Sequence, residues 1–229
     1  MVVIMKSVIE NKSLLKHPFY VLWLEGKLPK ESLQKYTAQY FQLVDFLPRF
    51  ITTLHSRCDD ENVRKQLTKN LLEEESGEGN GNISHTELWL DFAEELGVNR
   101  EKVKKAELLP ETKEAVNKIM ELCESSMLEG AAALYAYESQ VPRIAEEKIK
   151  GLEQFYGITS EKAQRFFKIH ALADVKHGAV WKALVSKYAK TPYLEHKAFQ
   201  SAKETAEALW NMFDGMFENF VPEEVKVEC

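Results

Sequence analysis

The apolar residues Leu33, Tyr36, Tyr40, Leu43, Val44, Phe46, Leu47, Phe50 and Ile51 recur at steps of three and four between Lys30 and Leu54. That period belongs to a helix buried along one stripe, and no alternating strand pattern competes with it. Similar patterns continue down the chain. Asp59 and Asp60 stand where an N-cap and acidic first turn belong, ahead of a helix through Val63, Leu67, Leu71 and Leu72. The run Ser76-Gly77-Glu78-Gly79-Asn80-Gly81-Asn82 breaks it, and Ser84 with Glu87 forms a capping box for a helix that Gly97 ends. Glu111 to Ser126 is amphipathic, Met127 to Leu152 is a mostly apolar helix with the small run Gly130-Ala131-Ala132-Ala133, and Ser160 caps a helix reaching Tyr188. A last long helix spans Tyr193 to Phe220, followed by a frayed tail over Pro222–Cys229. The predicted fold is all-α, one helical bundle of seven to eight helices in a single domain over residues 1–229, wide enough to enclose a site.

With 229 residues, 45% of them hydrophobic, size does not limit that core. A net charge of -6 argues against nucleic acid as a partner, because phosphate neutralisation needs a basic face. Cys58, Cys123 and Cys229 are too few and too scattered for a disulfide framework or a thiolate zinc site. The N-terminal apolar run stops at Lys6, short of a secretory h-region, and no stretch has the length of a membrane span. These features predict a cytoplasmic protein.

Three features carry chemistry. In His170-x-x-x-Asp174-x-x-His177, positions i, i+4 and i+7 share one face of a helix, so three donors converge where one metal can meet them. A solvated charged face is the plainer alternative, yet Phe166, Phe167, Ile169, Leu172, Val175 and Trp181 surround the motif. Glu138 is the one acid in an otherwise apolar helix segment, and a buried carboxylate is costly without a cation, a metal or a proton; Arg143 is the ordinary candidate for its partner. Pro142 removes the hydrogen bond to the Glu138 carbonyl and predicts a kink there. The acids Glu73-Glu74-Glu75 sit at a helix C-terminus, where the dipole disfavours them, and His85 follows beyond the loop. Taking Glu74 from that run, the set Glu74, His85, Glu138, His170, Asp174 and His177 holds three carboxylates and three imidazoles, a donor mixture that suits iron or manganese and is enough for two ions. Ferritin-like di-iron bundles carry Glu-x-x-His twice, on separate helices; here only Asp174-x-x-His177 approximates it, so another kind of bundle is expected.

With these residues the sequence resembles the haem-oxygenase-like di-iron oxidases, and most closely their CADD branch, named for the chlamydial protein associating with death domains. The resemblance runs through His17-Pro-Phe-Tyr20 with Trp23, Leu54 to Asp60, Asn70 to Glu75, His85 with Leu88-Trp89, Ala133 to Ala145, and His170 to His177, and so covers nearly the whole chain. It implies the same six metal ligands; the choice of Glu74 over Glu73 or Glu75 rests on the alignment of Asn70-Leu71-Leu72. It also implies two metal ions, Fe/Fe or Mn/Fe, with molecular oxygen and an external reductant as co-substrates, and it allows for a homodimer. The implied activity is formation of para-aminobenzoate for folate from the protein's own side chains. In that scheme Tyr20 is the sacrificed tyrosine, Lys148 the nitrogen source, and Tyr36 and Tyr137 the site tyrosines. Spacing alone reads Tyr20 and Tyr36 as core aromatics and Lys148 as an exposed helix lysine. On an unbroken helix Lys148 would lie about 15 Å from Glu138 along the axis, too far to be a ligand of the same metal.

The wider superfamily supplies the competing readings, TenA-type aminopyrimidine hydrolases and PqqC-type oxidases, which work without metal. Six intact ligands argue against both, and neither Cys58 nor Cys123 lies in a segment resembling a TenA-type nucleophile motif. A protein-interaction module is the reading from a different class, and the sequence contains no patch that encodes it.

Overall fold

The computed structural model describes residues 2–79 and 81–227. Asn80 of the glycine-rich loop, Cys229 and the side chain of Val175 therefore lie outside the described residues. Eight helices of eleven residues or more build the bundle, and no strand accompanies them among the described residues. They are α3 (Lys30–Ser56), α4 (Glu61–Ser76), α5 (His85–Glu95), α7 (Pro110–Ser125), α8 (Met127–Glu138), α9 (Val141–Tyr156), α10 (Glu161–Tyr188) and α11 (Pro192–Phe220). Shorter helices α1 (Val2–Asn11), α2 (Pro18–Leu24), α6 (Arg100–Lys104) and α12 (Glu223–Lys226) fill in around them, the last occupying part of the tail expected to fray. No helix among the described residues is long and apolar enough to cross a membrane.

Local chemistry sets the boundaries. Asp60 accepts hydrogen bonds from the N–H groups of Asn62 and Val63, Ser84 from Glu87 and Ser160 from Ala163, so each following helix starts with its orphan donors occupied. The Glu87 carboxylate turns to Arg100 instead of closing the reciprocal half of a capping box. Gly77 ends α4 at φ 66°, where a Cβ would come within 2.2 Å of the Ile83 carbonyl; the turn needs glycine both for its backbone and for its space.

The helix expected from Met127 to Leu152 is two helices. α8 stops at Glu138 and α9 restarts at Val141 with Pro142 in its first turn, the place where a missing N–H costs nothing. The proline thus starts a helix where a kink inside one was expected. This break frees the direction of α9, which carries Lys148, from that of α8.

α8 is the central element. It packs against α7, α10 and α11, and all its residues from Gly130 to Glu138 are buried. Its small residues allow that crowding: a Cβ on Gly130 would sit 2.5 Å from Leu54 and 2.9 Å from the Cys123 backbone. α10 crosses both α8 and α9 and also meets α5, so one helix touches the elements that hold Glu138, Lys148 and His85.

Candidate metal centre and lysine cage

The six acids and histidines singled out in the sequence come together. α4 contributes Glu74 near its C-terminus, α5 contributes His85 as its first residue, α8 contributes Glu138 as its last, and α10 contributes His170, Asp174 and His177 from one face. None is more than 4% exposed. They form two triads, Glu74–His85–His170 and Glu138–Asp174–His177, and within each triad the donor atoms lie within 4.8 Å of one another. Glu74 also spans them: one oxygen is 2.5 Å from His85 Nδ1 and the other 3.9 Å from His177 Nδ1. His177 Nδ1 in turn lies 3.3 Å from Asp174 and 3.6 Å from Glu138. His170 donates from Nδ1 to the Phe166 carbonyl at 2.7 Å, which leaves its Nε2 to face the cluster.

The donor set fits a pair of metal ions. Neither oxygen of Glu138 nor Oδ1 of Asp174 accepts a well-formed hydrogen bond among the described residues, although both side chains are buried. Buried carboxylate oxygens are otherwise satisfied almost without exception, and cations satisfy them best. The charges are strongly coupled. Burial pushes the Glu138 carboxyl up to about 8, with the Asp174 and Glu74 charges adding to it and His177 opposing. Burial works to lower His177, but its close contact with Asp174 and the charges of Glu138, Asp174 and Glu74 outweigh it and push the ring up to about 10. His170, enclosed against Phe166, is lowered by burial. Arg143, the ordinary alternative partner for Glu138, is exposed and lines a separate surface pocket.

A cavity of about 10 Å³ adjoins the cluster, walled by Tyr40, Tyr137, Glu74, Glu138, His170 and Asp174. That is space for roughly one water-sized molecule. Neither Cys58 nor Cys123 lines it, and burial pushes the Cys123 thiol up to about 12.

Lys148 occupies the second unusual site. It is 2% exposed, not the surface lysine that spacing suggests. Its amine donates to Tyr36 Oη at 2.6 Å and sits between 4.6 and 5.8 Å from the ring centroids of Tyr20, Trp23, Tyr36, Tyr40, Trp89 and Phe167. Burial alone, with no carboxylate partner, holds the amine well below its usual pKa. Tyr20 and Tyr36 are fully buried, and burial pushes both phenols well above their ordinary range. Tyr137 Oη lies 3.3 Å from Tyr40 Oη, and the Tyr40 ring is 5.3 Å from that of Tyr36, which links the cluster cavity to the cage.

Residues 34–210 match the family model described as iron-containing redox enzyme. The chain belongs to that family. Among curated relatives of this iron-containing redox enzyme, 4-aminobenzoate synthase of Nitrosomonas europaea is 37% identical, with 93% of this chain and 89% of the relative covered. The 4-aminobenzoate synthase of Chlamydia trachomatis is 38% identical over 92% of this chain and 89% of its own length. Two solved structures share the fold. A TenA homologue from Pseudomonas syringae has TM-score 0.79 at 15% identity, over 93% of this chain and 91% of that one. A CADD-like protein from Nostoc punctiforme has TM-score 0.76 at 19% identity, over 95% and 99%.

Three residues around the site of this redox enzyme were given no site role in the sequence reading. Tyr40 falls four residues after Tyr36 on the same stripe of α3, and that spacing was the available signal. Trp181 lies one turn beyond His177 on α10, fully buried, with its indole acting on Glu138. Glu73 is weighed in the sequence only as a rival to Glu74; its carboxylate meets the outer nitrogen of His177.

Proposed function

We propose that this chain forms 4-aminobenzoate in an oxygen-dependent reaction in which its own Tyr20 supplies the ring and Lys148 the nitrogen. Two metal ions, Fe/Fe or Mn/Fe, would be held by Glu74, His85 and His170 on one side and Glu138, Asp174 and His177 on the other. The observation that carries the reading is the cage itself. A fully enclosed amine, held by burial well below its ordinary pKa and without a carboxylate beside it, lies 5.2 Å from the ring of an equally enclosed tyrosine. A lysine so placed is costly for stability and useful for chemistry, because a neutral amine is a nucleophile. The small cavity beside the cluster supports an internal substrate, since an external aromatic acid would need a pocket several times larger.

The chemistry that the metals supply when bound is the activation of oxygen with electrons from an external reductant. Tyr137 and Tyr40 line the cavity, and from Tyr40 the rings continue through Tyr36 toward Tyr20, so an electron drawn from the Tyr20 phenol has an aromatic route toward the cluster, while the neighbouring Tyr36 hydroxyl is the group placed to take its proton. Tyr36 Oη, 2.6 Å from Lys148 Nζ, is the group placed to exchange a proton with the amine. Trp23, Trp89 and Phe167 exclude water from the reacting pair.

The test uses reduced, iron-loaded protein carrying ring-labelled tyrosine and amine-labelled lysine, exposed to oxygen. Product bearing both labels, in less than one equivalent per chain and with a matching loss of protein mass, is the expected result. Unlabelled product or many turnovers per chain would show an external substrate.

A further inference from the structure

Of the three acids ending α4, Glu74 turns inward while Glu73 remains 22% exposed at the side chain, in the wall of a surface groove shared with Arg165, Lys168 and Lys176. Glu73 Oε2 accepts a hydrogen bond from His177 Nε2 at 2.8 Å. That contact occupies the outer nitrogen of the ring. The inner one, Nδ1, is the atom that faces Asp174, Glu138 and Glu74. His170, two turns earlier on the same helix, is arranged the other way round, with Nδ1 given to the Phe166 carbonyl. The two α10 histidines therefore present opposite nitrogens to the cluster, one backed by a carboxylate and the other by a backbone carbonyl.

We infer that Glu73 is a positioning residue of the metal centre: its carboxylate fixes the ring and tautomer of His177 so that Nδ1 is offered on the Glu138–Asp174 side. The inference rests on the two-metal reading above and goes beyond it, because Glu73 belongs to neither triad. A ring free to rotate about its Cβ–Cγ bond would offer Nδ1 in only part of its conformations. It would also have to choose between two nearly equal tautomers before binding. A fixed acceptor at Nε2 removes both losses, and a carboxylate acceptor raises the basicity of Nδ1 more than a carbonyl does. The site also has a reason for the acid to be Glu73: consecutive residues on a helix point about 100° apart, so Glu74 enters the cluster while Glu73 reaches round its edge.

The experiment is an anaerobic titration with Fe(II) alone of the parent, Glu73→Ala, Glu73→Gln, His177→Ala and the Glu73→Ala/His177→Ala double variant, with the melting temperature of each metal-free form as a check on folding. The parent is expected to bind two equivalents. Glu73→Ala should weaken one of them about 10- to 100-fold and leave the other unchanged. Glu73→Gln, whose amide oxygen can still accept from Nε2, should recover part of the loss. In the His177→Ala background Glu73→Ala should cause no further loss. Parent-like binding of both equivalents by Glu73→Ala, or a loss that persists without His177, would overturn the inference. A parent that binds less than about half an equivalent would instead sink the two-metal reading and this inference with it.

Discussion

The cluster of acids and histidines and the lysine cage share Tyr40 as a wall and bury ionisable groups by opposite means. In the cluster three carboxylates face three imidazoles, so each charge has an opposite charge nearby, and the pKa shifts run in both directions as the groups push on one another. In the cage one amine meets six aromatic rings, one of which, Tyr36, also offers its hydroxyl, and the shift has a single cause, burial. In the first arrangement opposite charges offset burial, and the donors together suit cations. In the second nothing offsets burial, which drives the amine toward its neutral, nucleophilic form. The difference shows that burial alone does not predict what a titratable group becomes; the charge of its neighbours decides.

Replacing the reactive group of the cage tests its half of the contrast most severely. Tyr20→Phe removes one hydroxyl from a fully buried ring and should abolish 4-aminobenzoate formation outright while leaving the metal content of the protein unchanged. Full activity in that variant, measured as product after oxygen exposure, would detach the cage from the reaction. The cluster is probed by Asp174→Ala or His170→Ala, each of which should take bound metal from about two per chain to about one or less by elemental analysis. Unchanged stoichiometry would mean that the six residues are a salt-bridge network and nothing more.

Lys148→Met sharpens the comparison through stability. Exchanging a buried amine that has no carboxylate beside it for an apolar side chain should stabilise the metal-free protein by about 2 kcal/mol, or roughly 6 °C in Tm, while product is lost. The sign also appears in the pH dependence. The folded pKa of Lys148 lies below its unfolded value near 10.4, so between the two the unfolded chain binds more protons and stability rises with pH. Lys148→Met should flatten that rise in denaturant titrations at pH values below the unfolded pKa near 10.4. An equally steep rise would show that the amine is charged in the fold. The smallest effect belongs to the link between the regions. Tyr40→Phe deletes one side of the Tyr40–Tyr137 hydroxyl contact at 3.3 Å and should cost at most about 1 kcal/mol in thermal denaturation, with metal content unaffected and the rate of product formation reduced.

The sequence by itself determined the helices and most of the cluster, because both depend on period. His170, Asp174 and His177 share a face at steps of four and three whatever the rest of the chain does, and Glu138 is conspicuous as an acid in an apolar segment. The caps Asp60, Ser84 and Ser160 were legible for the same reason, their chemistry being local. Even Lys148 left a trace: Val141, Ile144, Ala145, Lys148 and Leu152 form one buried stripe of α9. Period places a residue on a face but does not say that a lysine will tolerate burial there. Tertiary structure decided that, by ending α8 at Glu138, restarting at Val141 and closing α2, α3, α5 and α10 around the amine. It also decided that Glu74 enters the cluster while Glu73 meets His177 from outside, a contact between residues 104 positions apart that no local pattern encodes. Side-chain periodicity is a property of one helix, whereas the charge a group keeps is set by what other helices bring to it.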